Sequence, residues 1–493
     1  MQLVPMFVII PAVAAVLIVL AARRQPRLAD ALATIATLAV LAMALAMLGK
    51  SGVYWLGGQA PQGGVPTGIG LVLDKVSAVM LATVGLVGLM ATLYSTGWSH
   101  LGGSKANFYG LLLAMIAGLN GTVLAGDLLL LYIFIEIASL AGYVLAAGGY
   151  RETKLTGPFR YLVVSAIGSA LIWVALGVTY KLAGSLNMAQ VGKVLGDNPT
   201  SLHLAAAGLF LAGFAIKSGI FPFHLWLVDE AGAASPPVAA VLLAVAVEVV
   251  GVYAMARVLF NALGVAAQVQ TLLMVLGTIA ILVGALMALR EKDIRRILAW
   301  HTASEIGFIV LALGIGSRPA IAAVLVYIVT HAVYKSLLVL NAGSMARAAG
   351  AHDLAGLGGV TRGMPVTGAT WTIGSLSISA IPPFGGFWSR FFVIVAVIQV
   401  ERYGYAAWAI AGSILTLASF ARIQAHLSHD ARPEAREKAK EVPALMQVPV
   451  IVLAVLAVVT GLLWLPQVQE RFFMEAAKII QEGVTYGSSI LGG

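Results

Sequence analysis

The chain has 493 residues, of which 60% are hydrophobic and only 10% charged, and its formal net charge is +9. So few charges cannot coat a water-soluble core of this length, which excludes a soluble enzyme and leaves lipid as the main solvent. Cysteine is absent, which removes disulfides, thiolate-held iron–sulfur clusters and cysteine nucleophiles, so no cofactor, metal site or catalytic residue is expected and any linked redox chemistry belongs to a partner.

The run Met1–Ala22 lacks a basic leader and a small-residue cleavage site, so it reads as a first span rather than a signal peptide. Crossing about 30 Å of hydrocarbon takes about 20 apolar residues. On that measure spans are expected near 3–22, 29–49, 70–95, 107–125, 127–147, 158–183, 203–229, 236–262, 270–289, 295–315, 320–345, 366–399, 405–426 and 445–465. The fold class is therefore an all-α polytopic membrane protein of about 14 helices, with both termini on one side. Odd-numbered connections carry Arg23, Arg24, Arg27, Lys105, Arg151, Lys154, Arg290, Lys292, Arg295, Arg296, Arg347, Arg362, Arg432, Arg436, Lys438 and Lys440. Even-numbered ones hold little beyond Lys50, Lys193, Arg318 and Arg402. The positive-inside rule makes the odd loops cytoplasmic and both termini external, in a bacterial or archaeal cell (inner) membrane. It also accounts for the positive charge without a nucleic-acid partner. Segment 428–443 is expected to be a solvated cytoplasmic loop.

Two spans are overlong and interrupted. Gly219 and Pro222 divide the seventh, and Pro382, Pro383 and Gly385 divide the twelfth, because proline removes a backbone donor and clashes with the preceding turn. Such breaks survive only against protein or an internal water-filled cavity. Each is the fourth member of a five-helix unit, and five being odd, the second unit runs inverted. The expected organisation is three leading helices (1–106), a first repeat (107–262), an inverted second repeat (270–426), then a loop, the last helix and a short C-terminal segment (427–493). Paired broken helices in inverted repeats point to an ion path; two unrelated proline kinks are the bland alternative.

An ionisable group at mid-bilayer costs about 2.5–3.5 kcal/mol even on lenient scales, so each needs a reason. Glu136 in span five and Lys217 just before the first break are expected to offset each other, as a static pair or as a pair whose lysine exchanges a proton. His224 beyond Pro222 is read either as a link from Lys217 to Glu248 or as a half-helix cap. Glu248 in span eight would join the two units or sit as a bonded carboxylic acid. His301 and Glu305 in span ten, with His331 and Lys335 four apart on one face of span eleven, look like a relay. Arg390 cannot release its proton and is a fixed charge. Asp127, Asp229 and Glu230 are expected at the interfaces.

The runs Ile216–Leu227 (with Lys217, Pro222, His224 and Trp226), Asp293–Ser304 (with Arg296 and His301), His331–Leu338 (with Lys335) and Ile381–Arg390 (with Trp388) resemble the antiporter-like proton-translocating subunits. That family spans the L-, M- and N-type subunits of respiratory complex I, the A- and D-type subunits of Mrp cation/proton antiporters and related subunits of membrane-bound hydrogenases. The resemblance covers spans three to thirteen and implies fourteen helices in inverted five-helix repeats. It also implies a central row of charges in which Glu136 is the span-five glutamate, Lys217 the span-seven lysine and His331 with Lys335 the span-eleven pair. The chain ends soon after span fourteen, without the long lateral helix of the L-type subunit. Two departures stand out against the family pattern: no lysine at or beside Glu248, and Arg390 where Lys or Glu is frequent. Glu305 stands where relatives often have a neutral residue or His.

The expected function is that of a membrane-embedded proton-translocating subunit of a multisubunit complex, most like an Mrp-type D subunit. Its partners would be other membrane subunits and the lipid bilayer, and its cargo protons, with sodium left open. The alternatives are a proton-pumping subunit of a redox-driven complex (complex I or a membrane-bound hydrogenase) and a non-conducting structural subunit.

Overall fold

The computed structural model describes residues 1–61, 68–98, 104–148, 156–195, 200–429 and 439–486. The chain opens with α1 (Met6–Ala21) and α2 (Pro26–Met47), the latter starting on a proline whose missing N–H costs nothing in a first turn. Span three does not begin at residue 70 as the apolar run suggested. Residues Gly70–Leu73 form strand β2, paired antiparallel with β1 (Gly52–Trp55), so a small hairpin accompanies the helices. Helix α3 (Lys75–Gly97) starts only after Asp74, whose carboxylate accepts from the Ser77 N–H at 2.8 Å while the Asp74 N–H donates to the Ser77 hydroxyl at 2.7 Å. This reciprocal cap fixes the boundary.

Next come α4 (Lys105–Leu124), α5 (Leu128–Ala147) and α6 (Thr156–Ala183), then an unforeseen short helix α7 (Met188–Leu195). Span seven is two helices, α8 (Ser201–Ser218) and α9 (Leu225–Ala233). Gly219 closes α8 at φ 65°, a left-handed conformation that glycine adopts without strain. Then follow α10 (Pro236–Ala262), α11 (Ala267–Arg290), α12 (Ile294–Ile315) and α13 (Arg318–Ala349). Span twelve is likewise divided, into α14 (Pro365–Ile378) and α15 (Gly385–Gln399), with Pro382 and Pro383 in the gap. Helices α16 (Tyr403–His429), α17 (Ala444–Val459) and α18 (Glu475–Gln481) complete the order. Among the described residues 12 helices are long and apolar enough to cross a membrane; α1 and α15 are shorter apolar helices.

Packing repeats itself along the chain. Helix α4 lies along α5, and α6 lies against both halves of the first broken span; α11 lies along α12, and α13 against both halves of the second. In lipid no hydrophobic drive pulls helices together, so close backbone approach does that work. Gly277 of α11 meets Gly307 and Leu311 of α12, where a Cβ would collide with backbone. Helices α10 and α12 are wholly enclosed and α13 nearly so, whereas α2, α6, α16 and α17 leave most of their residues on the outside. Within α10, residues Leu242–Ala246, Glu248–Tyr253 and Arg257–Ala262 form wide π-type turns.

Of the loop charges, Arg151, Lys154, Arg432, Arg436 and Lys438 lie outside the described residues, as do residues 430–438 of the expected loop. Its far end is held: Glu441 accepts from the Val366 N–H at 2.9 Å and the Thr367 hydroxyl at 2.5 Å, completing the first turn of α14.

Candidate ion-translocation site

The first cluster forms where α5, α6 and α8 meet. Lys217 stands on the last turn of α8, and its Nζ lies 2.9 Å from Glu136 Oε1 and 3.3 Å from the Ser139 hydroxyl, one turn further along α5. Ser169 of α6 donates to the same Glu136 oxygen at 2.6 Å. At the break in span seven the Gly219 N–H donates to Ile216 O at 3.2 Å, and the Trp226 indole of α9 donates to the same carbonyl at 2.9 Å. The lysine side chain is enclosed, at 1% exposure, but the Glu136 side chain is 25% exposed. The pair therefore opens onto the side of the chain, which the sequence did not foretell.

The second cluster lies among α10, α12, α13 and α15. Glu248 and His331 bring Oε1 and Nδ1 to 2.8 Å, close but off the direction of a hydrogen bond. Lys335, one turn beyond His331, donates to Leu298 O of α12 at 3.1 Å and is within electrostatic range of Glu248, Glu305 and Arg390. Glu305 is ion-paired with Arg390 and accepts from the Tyr327 and Tyr334 hydroxyls. Arg390 also donates to the Tyr327 oxygen at 3.3 Å and lies over the Phe308 ring. Two carboxylates thus face one lysine and one arginine in a fully buried site, which limits the desolvation cost of all four.

Packing joins the two clusters. Gly251 of α10 lies so close to Ser218, the neighbour of Lys217, that any side chain there would overlap it. A small cavity lined by Ser139, Tyr161, Lys217, Ala246, Val247 and Val250 separates Lys217 from the Glu248 turn.

Other expected residues stand apart. His301 Nε2 lies 2.9 Å from the Ser419 hydroxyl of α16, with Lys335 and Arg390 in electrostatic range. The His224 ring packs on Phe221 and Trp300, neither of which relays a proton. His224 occupies the N-cap position of α9, where its carbonyl accepts from the Leu227 N–H at 3.1 Å and its side chain makes no capping bond. Asp127 caps α5 through the Leu129 and Leu130 N–H groups, and Asp229 is ion-paired with Arg160 and Arg296. Glu230 is a correction. It is 1% exposed and neither carboxylate oxygen has a hydrogen-bond partner, because it falls on the inward face of α9 beside Asp229 on the outward one.

A further buried pair escaped sequence reasoning. Arg257 of α10 donates to Asp74 at 2.5 Å, and the Tyr486 hydroxyl donates to the same carboxylate oxygen at 2.6 Å. An arginine amid Ala254-Met255-Ala256 and Val258-Leu259-Phe260 was the available signal. The cavity bordering this pair, lined by Trp55, Asn187, Tyr253 and Tyr486 among others, shares no residue with either cluster.

The family described as NADH:quinone oxidoreductase/Mrp antiporter, TM, matches residues 125–416, a stretch that holds both clusters and both broken spans. The chain belongs to this NADH:quinone oxidoreductase/Mrp antiporter family. Over 478 residues it is 32% identical to the N subunit of NADH-quinone oxidoreductase from Desulforudis audaxviator, covering 93% of this chain and 94% of that one. It is 31% identical over 430 residues to the D-type subunit of the Na(+)/H(+) antiporter from Alkalihalophilus pseudofirmus, covering 86% of each. Its fold matches a chain of the Mrp complex from Dietzia sp. with a TM-score of 0.90 at 24% identity, over 100% of this chain and 99% of that one. As a member of the NADH:quinone oxidoreductase/Mrp antiporter family the chain is a multi-pass membrane subunit.

Proposed function

We propose that this chain carries protons through the membrane as a subunit of a multisubunit complex, of the Mrp cation/proton antiporter type. The observation that carries the reading is a pair of buried, mutually compensating charge clusters, Glu136–Lys217 and Glu248–His331–Lys335–Glu305–Arg390, each beside a broken helix. Lysine exchanges protons readily when buried, whereas arginine does not, so Lys217 and Lys335 are the moving sites and Arg390 sets the field around Glu305. The exposed flank of Glu136 asks for a neighbouring subunit to cover it, since a lipid-facing carboxylate is costly. The same reading takes the chain to cross the membrane fourteen times in two inverted five-helix units, with both termini external and the Arg- and Lys-rich connections in the cytoplasm of a bacterial or archaeal cell. The repeated packing order of helices along the chain supports the two units.

A proton-pumping subunit of a redox-driven complex is the second reading, favoured by the likeness to an NADH-quinone oxidoreductase subunit over nearly the whole chain. The subunits that co-purify decide between the two. Translocation itself is tested with Lys217→Ala in the assembled complex in vesicles. Proton uptake is expected to fall by at least about a hundredfold, the contribution of a well-placed proton-transfer group. Unchanged uptake with intact assembly would reduce the chain to a structural subunit.

A further inference from the structure

Glu230 has no role in the clusters above, yet its position is chemically conspicuous. It lies on α9, the second half of the broken span, and is 1% exposed with neither oxygen bonded to a donor. Helix α9 packs on α5, α6 and α12. The charged and titratable groups those helices bring to it are Tyr161 and Arg160 from α6, Tyr143 from α5 and Arg296 from α12. The two arginines are already engaged by Asp229, the preceding residue, at the membrane face. Tyr161 and Tyr143 are the groups within electrostatic range of the Glu230 carboxyl.

These tyrosines lead inward. Tyr161 stacks on Trp226 at 4.2 Å and meets the Tyr143 ring edge-on at 4.3 Å. The Tyr143 hydroxyl donates to Ser165 at 2.5 Å. Tyr161 lines the small cavity that also holds Ser139 and Lys217. Tyr161 thus lies within electrostatic range of Glu230 on one side and borders the Ser139–Lys217 cavity on the other.

We infer that Glu230 is the proton collector for the Lys217–Glu136 pair, taking protons at the membrane face that carries Arg160, Asp229 and Arg296 and passing them along the Tyr161–Tyr143 hydroxyl file. This rests on the proton-translocation reading above. The balance is simple. The Glu230 carboxylate, itself enclosed, takes one proton that enters from the face and gives it to the first hydroxyl. Each hydroxyl accepts a proton on a lone pair as it releases its own. Lys217, as a free amine, receives the last one, and Glu230 returns to carboxylate with one proton moved and no bond otherwise changed. Asp229 cannot serve in its place, since both its oxygens are occupied by arginines.

The test measures proton uptake by the assembled complex in vesicles across a range of pH, for wild type, Glu230→Gln, Glu230→Asp, Tyr161→Phe and Lys217→Ala. Glu230→Gln is expected to slow uptake by about a hundredfold and to make its rate follow proton concentration directly, because capture from water then limits. Glu230→Asp keeps the carboxyl and should recover most of the rate with the wild-type pH profile. Tyr161→Phe keeps the stacking on Trp226 and should slow uptake several-fold. A wild-type rate and profile in Glu230→Gln, with Lys217→Ala inactive, overturns the collector and leaves the translocation reading standing. Full activity in Lys217→Ala overturns both. If Glu230→Gln fails to assemble, Tyr161→Phe decides: slowed uptake supports the file, and an unchanged rate overturns it.

Discussion

Glu305 and Arg390 show how a single substitution is balanced at the scale of residues. Both are enclosed; Glu305 accepts from two tyrosine hydroxyls, and one of them, Tyr327, also accepts from Arg390. Removing one partner strands the other charge in a medium that cannot solvate it, at about 3–5 kcal/mol. Glu305→Gln should therefore lower the thermal midpoint of the purified complex sharply, and adding Arg390→Met to it should restore most of the loss; a melt of the three proteins checks this. The site residues Glu136, Lys217, Glu248, Glu305, His331, Lys335 and Arg390 were legible because each is a charge or imidazole in an otherwise apolar run. The Glu136–Lys217 pair was also expected, but the pairing of Glu305 with Arg390 was not legible, since α12 and α15 are far apart in sequence. Glu230 was misread for a related reason. It adjoins Asp229 in the chain, and only the rotation of α9 tells which of two consecutive carboxylates faces water.

Among elements, the close contact of α11 with α12 is the clearest case of packing set by residue size. Gly277→Leu would drive a side chain into the backbone of Gly307 and Leu311, at about 1–3 kcal/mol or more. Gly208→Ala on α8 meets open space and should cost nothing. Comparing the melting temperatures of the two variants tests the assignment. Helix breaks at Gly219–Pro222 and at Pro382–Gly385 were readable from proline chemistry alone. The hairpin of β1 and β2 was not, because Gly70-Leu71-Val72-Leu73 is as apolar as the helix it precedes. The Asp74–Ser77 cap was the signal that the helix starts later.

For the whole molecule, the apolar runs located the helical segments to within a few residues at most boundaries, because lipid imposes one length on every span. Sidedness rests on loop charge, and the absence of cysteine makes it easy to probe. Gln2→Cys should react with a membrane-impermeant maleimide added outside intact cells, and Lys440→Cys only after the membrane is opened. The reverse pattern would invert the topology. The exposed flank of Glu136 also makes the chain's lateral surface incomplete on its own, whereas α10, α12 and α13 form a closed interior.

The wide turns of α10 carry a practical consequence for anyone aligning or engineering this segment. Hydrogen bonds that reach five residues back crowd more side chains onto each winding, so the residues that share a stripe with Glu248 are spaced more widely than on a regular helical wheel. Inserting or deleting one amino acid between Glu248 and Arg257 without a matching change in the number of wide turns would swing the two residues around the axis relative to each other. A length change that most membrane helices would feel as a shift in depth would here register as a change of bearing.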